Sequence, residues 1–390
     1  MPVPLCITPG PGHFMFGYYD RDPWDPTLRY HLALRIPQQD HLTLPDEEAE
    51  VGVVDLHDGN RWRPLARTRA WNFQQGSMTQ WLRREPGCFV FNDAVDEGGR
   101  LRYVARVFHV DKGEVRRLPR PVYILSPDCR TAATLEFGRI WYRPGYSYAG
   151  SHCPEAPKCP DDVGVWMMDL LGGEPRLVLS IRQLAAIHPN PDEIADAYIW
   201  LNHIGWNCDG TRLMVLFRYL YPEGTGRGWK TYLYTFNPDG SDPRCALPHP
   251  YWIGISHQLW GRTPREILVD ANWRRIGSEF IVFNDGETTF RNVAPGVAGP
   301  ACHASFSPDG RWILSDTYAI PERNVQQLRL LDVASRKDRL LAECYHDPRQ
   351  AQEFRDLRCD LHARWRADGK AFSFDSIMSG ERKVYVMEIA

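Results

Sequence analysis

The chain has little net charge, no long apolar run and almost no helical periodicity. Its 46 basic residues against 49 acidic ones leave a formal charge of -3. Such a balance sets up no field that would draw a nucleic acid or a membrane surface, and no basic run suggests either partner. No window approaches the roughly 18 unbroken apolar residues of a membrane span. The opening stretch Met1-Pro2-Val3-Pro4-Leu5-Cys6 lacks the basic and apolar regions of a secretory leader. The 10 cysteines are scattered without framework spacing through 390 residues, a length that needs no covalent staples. They read as reduced thiols, and the expected location is the cytoplasm. Phe73-Gln74-Gln75-Gly76 has no phosphate-loop pattern, and no nucleotide motif occurs elsewhere. Only Ile181–Ala197 looks helical, as two pieces because Pro189 and Pro191 interrupt it.

What the chain does have is strands and turns. Glycine and proline number 31 each beside 14 Trp, which fits many short strands joined by tight turns. One phrase recurs: His303-Ala304-Ser305-Phe306 followed by Pro308-Asp309-Gly310, then His362 to Trp365 with Asp368-Gly369, and His203 to Trp206 with Asp209-Gly210. His257-Gln258-Leu259-Trp260 is a shorter copy. In the three copies with an Asp-Gly turn, Asp bonds its own backbone and Gly takes the positive φ. The copies lie roughly 45 to 60 residues apart, the period of a four-stranded propeller blade.

The expected fold is therefore all-β, a seven-bladed β-propeller forming one domain over residues 1–390. Blade 1 takes Tyr30–Ile36, Val51–Leu56 and Arg63–Thr68. Blade 2 takes Met78–Leu82, Cys88–Asn92, Tyr103–Val110 and Val115–Leu118. Blade 3 runs through Val122–Leu125, Thr131–Phe137, a Pro-rich excursion at 142–162, Val163–Leu170 and Arg176–Ser180. Blade 4 starts at His203 and uses Leu213–Phe217, a Gly-rich insertion at 222–228 and Thr231–Phe236. Blade 5 starts at His257 and continues in Ile267–Asp270, Glu279–Phe283 and Thr288–Val293. Blade 6 starts at His303 and includes Leu328–Val333 and Lys337–Ala342. Blade 7 has His362, Ala371–Asp375 and Lys383–Ile389, one strand short, and Pro2–Thr8 supplies the missing outer strand.

In a propeller the first strand of each blade lines the central channel, so His203, His257, His303 and His362 are expected around one opening. Gln75 in blade 2 and His13 before blade 1 stand at the corresponding points. A single histidine there is most simply a hydrogen-bonding structural group; four in one register point to chemistry, because packing alone does not require imidazole. Imidazole is both a common metal ligand and a base suited to neutral pH. Asp360 lies two residues before His362, so both point the same way from an extended strand. With His303 they make a mixed nitrogen and oxygen set suited to Mn²⁺, Ca²⁺ or Zn²⁺. His152, Cys153 and Cys159 form a second cluster without standard zinc spacing. Gly145-Tyr146-Ser147-Tyr148-Ala149 imitates a nucleophile elbow but lacks the strand before it and the helix after it, leaving Arg143, Tyr146 and Tyr148 as ligand contacts. Tyr18, Tyr19, Asp20 and Trp24 crowd the start of blade 1 and suit stacking on sugar rings; Trp206, Phe306 and Trp365 read as core.

The segments His257-Gln258-Leu259-Trp260, His303-Ala304-Ser305-Phe306 and Asp360-Leu361-His362 resemble the blade starts of the oligogalacturonate lyases, and more distantly those of propeller ulvan lyases. The resemblance lies chiefly in the C-terminal half. It implies a seven-bladed propeller that cleaves a uronate-containing oligosaccharide by β-elimination with a divalent metal, manganese or calcium or else zinc. It also implies His257 as the base and His303 and His362 as metal ligands. Asp360 stands where the family has another histidine ligand, and Leu357 replaces a glutamine ligand. The family's catalytic arginine has Arg218, Arg227 and Lys230 as candidate counterparts. The resulting catalytic set is His257, His203, Arg218 and Tyr19, with His13, Gln75, Arg143, Tyr146 and Lys230 contacting substrate. Two other readings use the same fold: a glycoside hydrolase on uronate-containing glycans, and a non-catalytic propeller that binds a glycan or a protein. The expected assembly is a monomer or a small homo-oligomer.

Overall fold

The computed structural model describes residues 3–151, 156–221, 228–248, 252–273, 277–293, 295, 301–352 and 355–389. His152, Cys153 and Arg227, singled out above, lie outside the described residues. Seven four-stranded antiparallel sheets follow one another along the chain. Six are built from consecutive strands. The seventh joins Arg364–Trp365, Ala371–Ser376 and Lys383–Glu388 to the N-terminal strand Leu5–Cys6. Leu5 pairs with Val386 and Cys6 with Tyr385, so the N-terminal strand completes the last blade as the sequence indicated.

Two compact units divide the blades. One comprises Met1–Val122, Arg143–Ser151 and Pro300–Ala390, which holds blades 6, 7, 1 and 2. The other comprises Tyr123–Tyr142 and His152–Gly299, which holds blades 3, 4 and 5. Each has an apolar interior made by alternation along the strands. Met214, Leu216, Leu233, Ile267, Val269 and Ile281 pack between blades 4 and 5. Leu314, Leu328, Leu330, Phe372, Phe374 and Met387 do so between blades 6 and 7. The helical stretch is two short pieces, Ile181–Ala186 and Pro191–Ile194, the first started by a capping box between Ser180 and Gln183. Among the described residues no helix is long and apolar enough to cross a membrane, and every cysteine is a free thiol.

Neighbouring blades are joined by two repeated polar contacts. In the first, an indole N–H reaches the carbonyl just before the aromatic of the preceding blade: Trp81 to Pro23 at 2.8 Å, Trp260 to Gly205 at 3.1 Å, Trp365 to Ser305 at 3.3 Å. These rings fill the space between blades, as the repeat suggested. In the second, an Asp or Asn on a blade's second strand accepts a backbone N–H from the next blade. Asn92 accepts from Val122 at 2.7 Å, Asp316 from His362 at 2.8 Å, and Asp375 from Gly17 at 3.1 Å.

Three of the four histidines lie inside the first strand of their blades, while His362 precedes its strand Arg364–Trp365. Blade 4 starts at Tyr198 and blade 5 at Trp252, so His203 and His257 lie inside the first strand. Pairing slips at three of the four: between Asn202 and Gly205, Ser256 and Leu259, and Cys302 and Ser305. The extra residue of such a bulge bends the strand and re-aims its side chain. Here that residue is the histidine in blades 4, 5 and 6, with φ of +55° at His203, +49° at His257 and +47° at His303; His362, two residues before the strand Arg364–Trp365, takes +47° without a bulge. Blade 2 has the same feature at Met78, φ +56°, three residues before Trp81. Met78, not Gln75, is therefore the register mate of the histidines. His13 is also out of register: it pairs with Ile36 at the far end of the first strand of blade 1, and Arg382 N–H lies 3.4 Å from its Nδ1. In blade 1 the strand His13–Met15 is followed by an insertion before Trp24, which pairs with His31.

Candidate active site

The unit with blades 6, 7, 1 and 2 gathers the expected metal ligands. One ligand atom each from His303, Asp360 and His362 lies within 4.8 Å of the other two, and all three residues are buried. Donors about 2.1–2.4 Å from a shared ion would span about 4.2–4.8 Å across it, so this spread fits a single cation. The imidazole centroids of His303 and His362 are 4.4 Å apart, nearly perpendicular. Asp360 is held by Arg358, whose Nε lies 3.0 Å from Oδ1 and 2.8 Å from Oδ2. Leu357, where the resembling family has a glutamine, is buried and offers no donor atom from its side chain.

Behind His303 stands a carboxylate that sequence reasoning missed. Asp316 Oδ1 is 2.8 Å from His303 Nδ1, and the Cys302 thiol is 3.2 Å from both atoms. An ionised carboxylate only accepts, so Nδ1 carries the proton and Nε2 keeps the lone pair that a cation needs. A signal for Asp316 was present in the chain: His257, His303 and His362 are each followed 13 positions later by an aspartate, Asp270, Asp316 and Asp375.

The insertion in blade 1 lays aromatic rings over the histidines. Tyr18 packs edge-on against His362 at 4.7 Å, and Tyr19 tilts against His303 at 5.2 Å. Burial pushes the Asp20 carboxyl up from its ordinary range, with Arg21 at 3.3 Å pulling the other way. Tyr146 lies edge-on to Tyr18 at 6.4 Å, and the Arg143 guanidinium sits 5.1 Å over the Tyr146 ring while pairing with Asp356 at 3.7 Å. Tyr19, Tyr146 and Arg143 thus belong to one layer with the histidine pair. The backbone N–H of Gln75 closes a tight turn onto the Asn72 side chain at 2.7 Å.

In the unit with blades 3, 4 and 5, His257 Nδ1 lies 3.3 Å from Asp270 Oδ2. Beside it, Ser256 Oγ receives the Arg218 guanidinium at 3.1 Å, with Thr231 Oγ1 at 3.2 Å and the Trp229 ring 4.7 Å below. Arg218 and His257 are therefore brought together through consecutive residues of one strand. His203 is tied into the scaffold: its N–H donates to Tyr123 Oη at 2.9 Å and its carbonyl accepts from Gln258 at 2.7 Å. Lys230 pairs with Glu193 at 2.8 Å. Burial works against the ammonium, but hydrogen bonds and charge interactions with Glu193 and Tyr232 together outweigh it and hold Lys230 above its usual range.

No protein-family model matches the chain, and no curated protein matches it in sequence. Its architecture is that of a seven-bladed β-propeller. Within that class, 99% of the chain matches a crystal structure of an oligogalacturonate lyase from Vibrio parahaemolyticus, over 93% of that chain, with a TM-score of 0.64 at 12% identity. An oligogalacturonate lyase in complex with manganese matches equally, at TM-score 0.64 and 14% identity, covering 99% of this chain and 92% of that one. The tricorn protease also matches, at TM-score 0.50 and 11% identity, but over 34% of its own length. The chain is thus similar to oligogalacturonate lyases in fold over nearly its whole length.

Proposed function

We propose that the protein is a lyase acting on uronate-containing oligosaccharides by β-elimination, with a divalent cation held by His303, Asp360 and His362. The observation that carries this reading is the convergence of those three buried donors, on a fold like that of a manganese-bound oligogalacturonate lyase. Two nitrogens and one carboxylate suit Mn²⁺ or Zn²⁺ better than Ca²⁺, which prefers an all-oxygen shell.

Removing the C5 proton of a uronate is hard because the adjacent carboxylate is already negative. When bound, a divalent cation supplies charge that neutralises this carboxylate and the enediolate character that develops. Arg218 is a guanidinium suited to a carboxylate, and Ser256, Thr231 and Trp229 fix its orientation. His257 donates Nδ1–H to Asp270, which leaves Nε2 as the base that accepts the C5 proton. The C4–O bond then breaks as the C4–C5 double bond forms. Tyr19 offers its hydroxyl proton to the departing oxygen, while the buried rings of Tyr18 and Tyr146 pack beside it and hold the layer in place. Arg143 lies with Tyr146 at the rim of that layer. His203, Lys230, Gln75 and His13 have scaffold roles in this reading.

The test is a screen of oligogalacturonate, ulvan, rhamnosyl-glucuronate and glucuronan fragments for the ultraviolet absorbance of an unsaturated uronate. His257→Ala should lower that rate by about 10² to 10⁴ with substrate binding retained, the usual effect of losing a positioned base. Saturated products only would establish a hydrolase instead. Binding without turnover, unchanged in His257→Ala, would establish a glycan-binding propeller.

A further inference from the structure

We propose that Asp316 is a positioning residue that sets both histidines of the candidate cation site, one through its ring and the other through its backbone. The inference rests on the reading of His303, Asp360 and His362 as ligands and extends it to a residue outside that set.

Asp316 sits on the second strand of blade 6, opposite Cys302, and is fully buried. Its two oxygens do different work. Oδ1 takes the proton of His303 Nδ1 at 2.8 Å, and Oδ2 takes the backbone N–H of His362, in the next blade, at 2.8 Å. One carboxylate therefore fixes a tautomer in blade 6 and a backbone position in blade 7. The second duty is common to the fold: Asn92 latches Val122 with a single oxygen at 2.7 Å, and Asp375 latches Phe16 and Gly17. An amide therefore meets the latching role. The first duty adds a demand that the latch does not make, because an all-acceptor group facing Nδ1 requires the proton there.

Asp316→Asn separates the two. The amide oxygen can still latch His362, as Asn92 latches Val122. Its NH₂ group would then face His303 Nδ1, which must become an acceptor, and the imidazole proton moves to Nε2, the atom needed for ligation. The full-length metal-free protein, labelled with ¹⁵N-histidine, is examined by NMR for the His303 tautomer, assigned by its loss in His303→Gln. Mn²⁺ and Zn²⁺ affinities are measured by titration calorimetry. The expected results are an Nδ1–H tautomer in the wild type, an Nε2–H tautomer in Asp316→Asn, and a 10- to 100-fold loss of metal affinity, the usual effect of removing a group that orients a ligand. An Nε2–H tautomer in the wild type overturns the inference without any need for the variant. So does an Nδ1–H tautomer, or unchanged metal affinity, in Asp316→Asn. If the wild type binds neither metal, the cation reading fails, while the metal-free tautomers still decide whether Asp316 sets the ring.

Discussion

His31 offers a quantitative test of the interior of blade 1. Its ring is fully buried, edge-on to Trp24 at 4.9 Å, with Nε2 3.0 Å from Ser373 Oγ. Burial, reinforced by the nearby Arg364 cation, pushes its pKa down from 6.5 to about 3. The folded protein therefore holds His31 neutral, while the unfolded chain protonates it near 6.5. The stability that follows from the neutral ring is fully present above pH 6.5 and is lost progressively as pH falls from there towards about 3. At roughly pH 5 the unfolded state has gained about one proton that the native state refuses, and 1.5 units at 1.36 kcal/mol each amounts to about 2 kcal/mol. Replacing the titrating ring by His31→Gln should remove that slope whatever it does to absolute stability. Urea melts of both proteins between about pH 4.5 and 8 measure it, and the other histidines and carboxylates cancel in the difference. Wild-type and variant curves that run parallel below pH 6.5 would refute the reasoning.

Two further outcomes test the closure and the packing of the blades. Deleting residues 1–9 removes the strand paired with Val386 and Tyr385, the Ile7 N–H bond to Val384 at 3.0 Å and the buried Ile7 side chain. This should lower stability by about 3–5 kcal/mol in denaturant melts, and an unchanged melt would mean that the blade does not need this strand. Gly240→Ala places a Cβ against the Val178 carbonyl at a residue whose φ is +86°. Overpacking plus a left-handed alanine should cost on the order of 3 kcal/mol. A loss under about 0.5 kcal/mol would show that this turn does not press on blade 3.

The blades were legible because their signal is local. Alternating apolar residues and Asp-Gly turns mark each strand pair, and Gly210, Gly310 and Gly369 do take φ of +74°, +70° and +69°. The trio His303, Asp360 and His362 was legible for a similar reason, since Asp360 and His362 stand two residues apart and His303 repeats the register of His362, although the strand of blade 7 begins only at Arg364. The bulges were not, because one extra residue leaves the hydrophobic alternation on either side intact. Asp316 was hidden differently. Its 13-residue offset from His303 is visible, but a polar residue within a strand carries no mark of facing inward until the pairing is known. Tyr18 and Tyr19 reach the histidines only through an insertion whose path no periodicity describes.

Met78 decides how the strained histidines should be weighed. A side chain in the left-handed region costs on the order of 1–3 kcal/mol, and such residues gather at functional sites. Four histidines there invite that interpretation. Met78 takes the same conformation at the same register, three residues before its own aromatic, with no group that could ligate or exchange a proton as imidazole does. The positive φ is thus a property of the register three residues before the aromatic, at or just ahead of the blade's first strand, and methionine meets its steric demands as well as histidine does. His203 meets them too, with its backbone tied down by Tyr123 and Gln258. What distinguishes His257, His303 and His362 from His203 and Met78 is a carboxylate on the second strand: Asp270 and Asp316 face the Nδ1 atoms of His257 and His303 and Asp375 holds the same position in blade 7, whereas Leu216 occupies it in blade 4 and Asn92 in blade 2. The case for chemistry at His257 and His303 therefore rests on the residue across the strand, which fixes a proton, and not on the backbone that turns the ring inward.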